Sequence, residues 1–314
     1  MPTEKDSPGG ETPAAPPTVQ DTAGLCEVIT SKDRLAEVRA ALPGPVGVVM
    51  TMGALHEGHA ALIRRARRES GSVLVTLFVN PLQFGPGEDL DRYPRSLGED
   101  LRLCTREGAD AVFAPPAEVM YPDGEPAVRV ASGALGEVLE GLSRPGHFDG
   151  MLTVVAKFMG LTRPERAYFG QKDAQQLVLI RRMVRDLEMG VQVCAVPTVR
   201  ESDGLALSSR NSYLSSHDRA VATVLFRALR AGQEKALEGA EAVRRAAEDV
   251  LLQEQDCHLD YLALVDQDTL QDLPEDRTGS ALLTVAARVG RTRLIDNLPL
   301  QVGAVESPAG EGVN

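Results

Sequence analysis

The segment Val46-Gly-Val-Val-Met50-Thr-Met-Gly-Ala-Leu-His56-Glu-Gly-His59 decides the fold of this chain. Residues 46–50 form a short apolar run, which is typical of a strand buried on both faces of a parallel sheet. Residues 51–58 predict a loop, and residues from about 59 to 69 place their apolar side chains on one side of a helix. The segment therefore predicts a strand, a loop and a helix in succession, which is the building unit of an α/β fold.

The same alternation continues as far as Thr198. Strand-like apolar runs follow at residues 72–79, 111–114, 167–169 and 191–196. Helical patterns occur at residues 32–42, 96–108, 152–161 and 174–187. Ser96-Leu-Gly-Glu99 has the form of a capping box at the start of one of these helices. The alternation predicts a Rossmann-like, doubly wound parallel sheet, in which ligands bind beyond the carboxyl ends of the strands.

The pattern changes after Thr198, which indicates a second domain. Two long Ala-rich helical segments at 216–238 and 240–254 precede strand-like segments at 258–265, 281–289 and 292–295. We therefore expect a Rossmann-like domain at 25–198 and a smaller α+β domain at 199–305 that acts as a lid. Residues 1–24 are rich in Pro and lack the apolar core of a signal peptide, so we expect a disordered tail there and a flexible tail at 306–314.

The composition indicates a soluble globular protein that works in the cytoplasm. The chain has 314 residues, of which 43% are hydrophobic, and no stretch approaches the ~18 uninterrupted apolar residues that a membrane span requires. With 45 Asp and Glu against 33 Lys and Arg, its net charge of −12 argues against binding to nucleic acid. The four cysteines form no CxxC pair, which is typical of free thiols in a reducing compartment. We expect neither a nucleic-acid partner nor a membrane partner.

The negative charge is concentrated in one segment. Residues 233–276 hold 13 acidic and 3 basic residues, and the rest of the chain is nearly neutral. The simplest interpretation of this acidic segment is a solvated helical surface. The candidate chemistry lies outside it, because the unusual polar residues follow the strand ends of the first domain.

His56 and His59 stand where the first strand passes into its helix. Free N–H groups and the helix dipole attract phosphate at such a junction, and glycines let the backbone approach a ligand closely. Two histidines three residues apart can both face the same polyanion. A zinc site is the weaker interpretation, because the spacing is one residue short of HExxH and no third ligand stands nearby. We expect no protein-built metal site.

Polar side chains follow other strand ends as well. Asn80 and Gln83 offer neutral amides that suit the hydroxyl and carbonyl groups of a small substrate, and the Asn80-Pro81 pair is equally consistent with a simple turn. In Gly170-Gln-Lys172-Asp173 the lysine fits a flexible cation over phosphates, and the aspartate could bond a ribose hydroxyl. The alternative for this segment is an ordinary helix cap with an exposed lysine. Leu207-Ser-Ser-Arg210 forms a loop that could close on phosphates and exclude water.

Together these motifs resemble the pantothenate synthetase (pantoate–β-alanine ligase) family of the nucleotidyltransferase superfamily, over roughly residues 25–300. His56-Glu-Gly-His59 is similar to the superfamily's His-x-Gly-His signature. Leu207-Ser-Ser-Arg210 resembles the mobile loop related to the Lys-Met-Ser-Lys-Ser element of class I tRNA synthetases. The blocks that separate the family from its relatives are residues 78–84, Arg144-Pro-Gly-His147-Phe148, residues 170–173 and Gln176.

The resemblance implies an ATP-dependent condensation of pantoate with β-alanine to pantothenate. The pantoate carboxylate attacks the α-phosphate, which gives a pantoyl adenylate and pyrophosphate, and the β-alanine amine then displaces AMP. ATP is a substrate, and Mg²⁺ is bound mainly through its phosphates. Catalysis comes from aligning the substrates and stabilising charge on the leaving pyrophosphate. Members are typically dimers, so a homodimer is expected.

The resemblance also implies a role for individual residues. The catalytic residues are His56, His59, Lys172 and Arg210, with His59 the candidate proton donor. The ATP-binding residues are Met52, Gly53, His56, His59, Gly170, Gln171, Lys172, Asp173, Val199, Leu207, Ser208, Ser209 and Arg210. The pantoate-binding residues are Gln83, Gln176 and Asn80. The β-alanine-binding residues are Gln83 and Arg144.

Three positions depart from the family pattern. Met50, Ala174 and Leu207 stand where Pro, an aromatic residue and Met are usual. All three are apolar, so we expect them to alter packing near adenine and not the charged chemistry.

Two alternative functions would also explain part of this set of motifs. One is another nucleotidyltransferase, such as a pantetheine-phosphate or nicotinate-mononucleotide adenylyltransferase, and the other is a catalytically silent nucleotide-binding module.

Overall fold

The computed structural model describes residues 26–88 and 90–303, so the tails expected at 1–24 and 306–314 lie outside the described residues. Within these ranges the first sheet contains six strands. They are β1 (Glu27–Ile29), β2 (Val46–Thr51), β3 (Ser72–Leu77), β4 (Ala111–Phe113), β5 (Arg166–Gly170) and β6 (Gln192–Val196). All the neighbouring pairs are parallel. The expected fold class, a Rossmann-like parallel sheet with a smaller second domain, is therefore confirmed.

The strand order of the first sheet determines where a ligand-binding crevice can form. The order is β1-β4-β3-β2-β5-β6, so the chain builds outward from β2 in one direction and then from β5 in the other. The residues of β2 are almost entirely buried and those of β3 entirely so, which explains their continuous apolar sequences. The direction of winding reverses between β2 and β5, and a crevice forms outside their carboxyl ends.

Helices cover both faces of this sheet. The helices of the described chain are α1 (Lys32–Ala41), α2 (Glu57–Glu69), α3 (Leu97–Arg106), α4 (Ala117–Met120), α5 (Glu140–Ser143), α6 (His147–Thr162), α7 (Ala174–Asp186), α8 (Ser216–Ala222), α9 (Val224–Glu234) and α10 (Ala240–Leu252). One apolar cluster joins the sheet to α1, α6 and α7, and a second joins its other face to α2 and α3. The short helices α4 and α5 have no counterpart in the sequence-based expectation.

The C-terminal part is a three-stranded antiparallel sheet backed by helices. Its strands are β7 (Cys257–Asp266), β8 (Gly279–Val289) and β9 (Thr292–Val302), in that order across the sheet. The single helix expected at 216–238 is wrong, because the structure divides it into α8, α9 and a 3₁₀ turn, Ala236–Glu238. The break falls at Thr223, whose hydroxyl donates to the Ala220 carbonyl at 2.7 Å.

A largely buried ion pair joins the second sheet to helix α5. Arg293 of β9 binds both carboxylate oxygens of Glu140 in α5, at 2.6 and 2.8 Å. The Tyr261 hydroxyl of β7 donates to the same carboxylate at 2.9 Å, and Asp260 accepts from the Arg293 Nε at 2.6 Å. Because these charges are largely removed from water, each depends on its partners for stability.

We predict that Arg293→Ala lowers the free energy of unfolding by roughly 3 kcal/mol, because it leaves Glu140 buried without its counter-charge. Urea denaturation measures the change. The matched control is Arg34→Ala, which breaks exposed pairs with Glu27 and Glu37 and is expected to cost at most about 1 kcal/mol. Equal effects of the two substitutions would contradict the importance of the buried pair.

Candidate active site

A cavity of about 250 Å³ opens at the crevice between β2 and β5. Its walls come from the carboxyl ends of the central strands, from the start of α2 and from the segment at 207–210 of the C-terminal part. A smaller cavity of about 60 Å³, here called the annex, adjoins it and reaches the second sheet at Tyr261, Thr284 and Asp296. The site is therefore built by residues from both sheets.

The spacing of His56 and His59 is explained by helix capping. His56 is the N-cap of α2 and its Nδ1 accepts from the Gly58 backbone N–H, at 3.2 Å. His59 Nδ1 accepts from the His56 backbone N–H, also at 3.2 Å. Each neutral ring therefore carries its proton on Nε2, and both rings line the cavity with their centroids 4.2 Å apart.

The glycine of the motif makes room for this cap. A Cβ atom at Gly58 would lie 2.9 Å from Cε1 of the His56 ring, too close for a side chain at that position. Within the four residues 56–59 the backbone N–H groups of His56 and Gly58 both find acceptors, and the two imidazole Nε2–H groups stay available as donors. The helix N-terminus expected near His59 begins two residues earlier, at Glu57.

Both imidazoles are neutral at physiological pH. Burial, followed by the charges of His56 and Lys172, lowers the pKa of His59 to about 3. Burial and the Lys172 charge also lower the pKa of His56. The positive charge of Lys172 beside these rings favours a polyanionic ligand, and the negative charge of such a ligand would raise the pKa of both rings.

Asp100 supports the turn that leads to these histidines. Its carboxylate accepts from the backbone N–H groups of Ala54 and Leu55, at 3.1 and 2.7 Å, and is almost fully buried. Burial raises the pKa of this carboxyl above its usual value. The capping box expected at Ser96 and Glu99 is wrong, because Ser96 makes no side-chain cap and its hydroxyl donates to Asp100 instead.

The amides of Asn80 and Gln83 form one network. Asn80 donates to the Gln83 side-chain oxygen and to the Gly150 carbonyl, each at 3.1 Å. It accepts from the Tyr121 hydroxyl at 2.8 Å. This arrangement fixes the Gln83 carboxamide and leaves its NH₂ group beside the Met52 sulfur at 3.1 Å. Gln83 therefore presents donors to the cavity, and Asn80 holds it in place.

Arg144 lies between the cavity and the annex. It binds Glu88 through Nε at 2.9 Å, and His147 Nε2 accepts from it at 3.1 Å. Burial works to raise the pKa of Glu88, but the hydrogen bond and charge of Arg144 outweigh it and lower that pKa. Burial and the Arg144 charge lower the pKa of His147 to about 4. The guanidinium is thus held by a carboxylate and a neutral imidazole.

The segment at 199–210 folds as a small hairpin. Arg200 and Ala206 form an antiparallel bridge, and the Leu207 backbone N–H donates to the Val199 carbonyl at 3.0 Å. Ser208 then caps a 3₁₀ turn, Ser209–Tyr213, by accepting from the Arg210 backbone N–H at 3.2 Å. The hairpin brings Leu207 and the two serines to the cavity.

The structure brings most of the expected site residues to this one cavity. Those that line it are Met52, His56, His59, Asn80, Gln83, Arg144, Gly170, Lys172, Asp173, Gln176, Val199, Leu207, Ser208, Ser209 and Arg210. Gly53 and Gln171 do not line it. Gly53 has a φ of +87°, which shapes the turn before His56, and Gln171 contributes only to the backbone of the Lys172 segment. Of the departures from the family pattern, Met50 and Leu207 line the cavity and Ala174 lines the annex.

Several supporting residues were missed by the sequence-based reasoning. They are Asp100, Tyr121, His147 as a hydrogen-bonding residue, and Glu88. Only His147 carried a signal, since it belongs to the Arg144-Pro-Gly-His147 block. Within the described ranges, no helix is long and apolar enough to cross a membrane, and no three His, Cys, Asp or Glu converge as a metal site would require.

Comparison with known proteins identifies close relatives. The family model described as Pantoate-beta-alanine ligase matches residues 26–299. A pantothenate synthetase of Streptomyces avermitilis is 51% identical over 313 residues, covering 83% of this chain and 94% of the relative. A pantothenate synthetase of Nocardioides sp. is 57% identical over 274 residues, covering 85% of this chain and 81% of the relative.

Two solved structures share the fold over nearly their whole length. The pantothenate synthetase of Thermus thermophilus superposes with a TM-score of 0.82 at 51% identity, covering 87% of this chain and 98% of that one. The pantoate-beta-alanine ligase of Francisella tularensis, complexed with beta-gamma ATP and beta-alanine, gives a TM-score of 0.72 at 34% identity. That comparison covers 87% of this chain and 97% of the other.

The buried histidines predict an acid-sensitive fold. An unfolded histidine takes up a proton below pH 6.5, whereas His147 and His59 stay neutral in the folded chain down to about pH 4 and 3. Their contribution to stability is therefore complete above pH 6.5 and is lost as the pH falls through that window. His147→Gln is expected to reduce the pH slope by up to about 1.4 kcal/mol per unit. Urea denaturation between pH 7.5 and 4.5 measures it, and an unchanged slope would contradict the assignment.

Proposed function

The chain belongs to the pantoate–β-alanine ligase family, and from this premise we propose how its own residues carry out the family's reaction. The reaction is the ATP-dependent condensation of pantoate with β-alanine to pantothenate. One observation carries the proposal. The capped histidine pair, Lys172 and the segment at 207–210 surround a single cavity that also contains Gln83 and Gln176.

ATP phosphates bind, in this proposal, at the start of α2. The Nε2–H groups of His56 and His59 donate to them without the cost of burying two imidazolium ions. Lys172 and Arg210 supply positive charge, and Ser208 and Ser209 supply further donors. These groups stabilise the charge that develops on pyrophosphate as it leaves. The rings are neutral when ATP first binds; the charge of the bound phosphates then raises the pKa of His59, so that this ring can take up a proton and pass it to the leaving pyrophosphate.

The nucleoside lies between β5 and the hairpin. A Cβ atom at Gly170 would meet nothing within 4 Å, so this position leaves open space for the ribose, with Asp173 beside it as an acceptor. Val199, Leu207 and Met52 provide apolar contacts for adenine. Gly53 and Gln171 act through the backbone, since neither lines the cavity.

Pantoate binds next to Gln83 and Gln176. Their amides bond its hydroxyl and carboxylate oxygens, and Asn80 fixes the orientation of Gln83. Its carboxylate oxygen attacks the α-phosphorus, the bond to pyrophosphate breaks, and a pantoyl adenylate forms. Among the described lining residues of the main cavity the only carboxylate is that of Asp173, so little negative charge opposes two anionic substrates.

β-Alanine approaches from the side of Arg144. The guanidinium lies where the cavity meets the annex, and it is a suitable partner for the β-alanine carboxylate, together with Gln83. The amine of β-alanine attacks the acyl carbon of the adenylate and loses a proton, and AMP leaves with the oxygen that bridged the acyl carbon and the phosphorus. Because the first sheet and the hairpin enclose this step, the C-terminal domain at 199–305 acts as the lid that excludes water.

Mg²⁺ enters this scheme with ATP. Mg²⁺ prefers oxygen ligands, retains several waters and commonly binds through substrate phosphates with one or two carboxylates. Asp173 offers one carboxylate beside the phosphate-binding groups. Bound there, the ion would neutralise phosphate charge, and we assign its binding mainly to ATP.

The unpaired cysteines of the described chain also agree with a reducing, cytoplasmic location.

The reaction predicts a strict dependence on substrates. ATP turnover to AMP requires pantoate, and pantothenate release requires β-alanine, so purified protein with each substrate omitted in turn tests the proposal. Lys172→Ala is expected to keep the fold and to lower the rate of adenylation by about 100-fold or more. The matched control is Lys235→Ala, which removes an exposed lysine paired with Glu238. ADP as the product, or turnover without pantoate, would refute the proposal; wild-type activity in Lys172→Ala would place the phosphates elsewhere.

We also propose a homodimer formed through β6. Among the described residues β6 pairs only with β5, and its register directs the N–H and C=O groups of Val193 and Ala195 away from β5. Such an edge can pair with a second copy across a two-fold axis. Val193→Pro removes one outward donor and is expected to convert a dimer to monomers in sedimentation experiments. A wild-type monomer, or an unaffected dimer, would overturn this interface.

A further inference from the structure

Two adjacent polar residues of β9 line the annex beside the main cavity. Asp296 and Asn297 are only 3% and 4% exposed, although both carry polar side chains. Both lie in the middle of the eleven-residue strand, opposite Val285 and Thr284 of β8. Buried polar groups are retained only where hydrogen bonds satisfy them, so their partners indicate what they do.

Asn297 binds the backbone that carries Lys172. Its Nδ2 donates to the Lys172 carbonyl at 2.8 Å and to the Gln171 carbonyl at 3.1 Å. The two hydrogens of the Asn297 amide therefore bond to two consecutive peptide carbonyls of one loop. These bonds restrain the peptide planes on either side of the Lys172 Cα atom, and through them the direction in which its side chain leaves the loop.

Asp296 binds the base of the hairpin that precedes Arg210. Its two oxygens accept from Arg200 at 2.6 and 2.9 Å, as a bidentate pair. Arg200 also donates to the Gly204 carbonyl at 3.0 Å, and its guanidinium stacks on the Phe226 ring at 4.1 Å. The hairpin that presents residues 207–210 is thus fixed to the same point of β9.

Asp296 and Asn297 are also bonded to each other. Asp296 Oδ1 accepts from the Asn297 backbone N–H at 2.7 Å, and Arg200 donates to the Asn297 carbonyl at 3.3 Å. A displacement of one residue therefore moves the other. The Lys172 loop and the hairpin are therefore both held by the same two residues of β9, on one side of the cavity.

We propose that Asp296 and Asn297 form a positioning pair that sets the separation of Lys172 and Arg210 during adenylation. The inference rests on the proposed function, because it takes these two cations to bind ATP phosphates. The pair touches no substrate. It acts by holding two backbone segments in the geometry in which both cations reach the transferring phosphates, and such alignment supplies much of the rate in this kind of catalysis.

A different residue of β9 attaches the second sheet to the first domain, so attachment can be tested separately from positioning. Arg293, three residues before Asp296, already joins the second sheet to helix α5 of the first domain through Glu140. Its partners lie in α5 and β7, and neither is in the Lys172 loop or the hairpin. Arg293 thus gives a control in which the same strand loses a contact with the first domain but keeps both phosphate-binding segments fixed.

The test compares Asn297→Ala and the nearly isosteric Asn297→Asp with Arg293→Ala. Asn297→Asp preserves core volume but sets a carboxylate against two carbonyl oxygens. We expect either Asn297 variant to lower kcat for pantoate-dependent pyrophosphate release by up to about 100-fold. KM for pantoate is expected to stay within about 3-fold, because Gln83 and Gln176 are untouched. Arg293→Ala is expected to lose stability with a smaller loss of kcat.

A double variant separates positioning from general damage. If Asn297 acts through Lys172, adding Asn297→Ala to Lys172→Ala costs less than about 3-fold in further kcat, whereas independent effects would multiply. Multiplied losses, or an unchanged kcat in both Asn297 variants, would overturn the positioning pair. Its failure is distinguishable from that of the proposed function, which fails only if ADP is the product or if ATP turnover does not require pantoate.

Discussion

The parallel alignment of the first sheet is the constraint on which the rest of the molecule depends. Since every strand runs in the same direction, all carboxyl ends reach one edge, and the reversal of winding between β2 and β5 opens a crevice there. The turn after β2 delivers the two histidines, and the turn after β5 delivers Lys172. Neither segment would face the other in a sheet with an antiparallel centre. The location of the chemistry is thus a consequence of strand direction.

Helix-end hydrogen bonding accounts for the short motif at this edge. The first turn of a helix has N–H groups without intrahelical partners, and here two imidazoles accept from backbone N–H groups at that end. That use of Nδ1 leaves Nε2 as the donor of each ring. Burial beside Lys172 keeps both rings neutral, so in the proposed reaction they bind phosphate as hydrogen-bond donors and leave the positive charge to lysine and arginine. Helix capping and the proposed phosphate binding therefore use the same four residues.

The sequence predicted the fold class and the family from local patterns, and it failed where partners are distant. Apolar runs predicted the buried strands, and the histidine spacing predicted a phosphate site at the junction where the cavity lies. The expected capping box at Ser96 was wrong because Asp100 serves the turn before His56, at a separation of 46 residues from Ala54. Tyr121 is 41 residues from Asn80, and no pattern within either segment indicates their hydrogen bond. The single helix expected at 216–238 was wrong because propensity does not show a hydroxyl-mediated break at Thr223.

The sequence by itself determined the alternation of strands and helices in the first domain, the candidate ligand-binding groups and the near-neutral character of the segment that carries them. These properties depend on period, spacing and composition, which are local. Only the tertiary structure decided which residues support those groups. Asn297 lies 125 residues from Lys172, and Asp296 lies 96 from Arg200, yet both contacts meet on one strand. Such pairings arise when β9 packs against the loop after β5 and against the hairpin, so they exist only once both parts of the chain have folded.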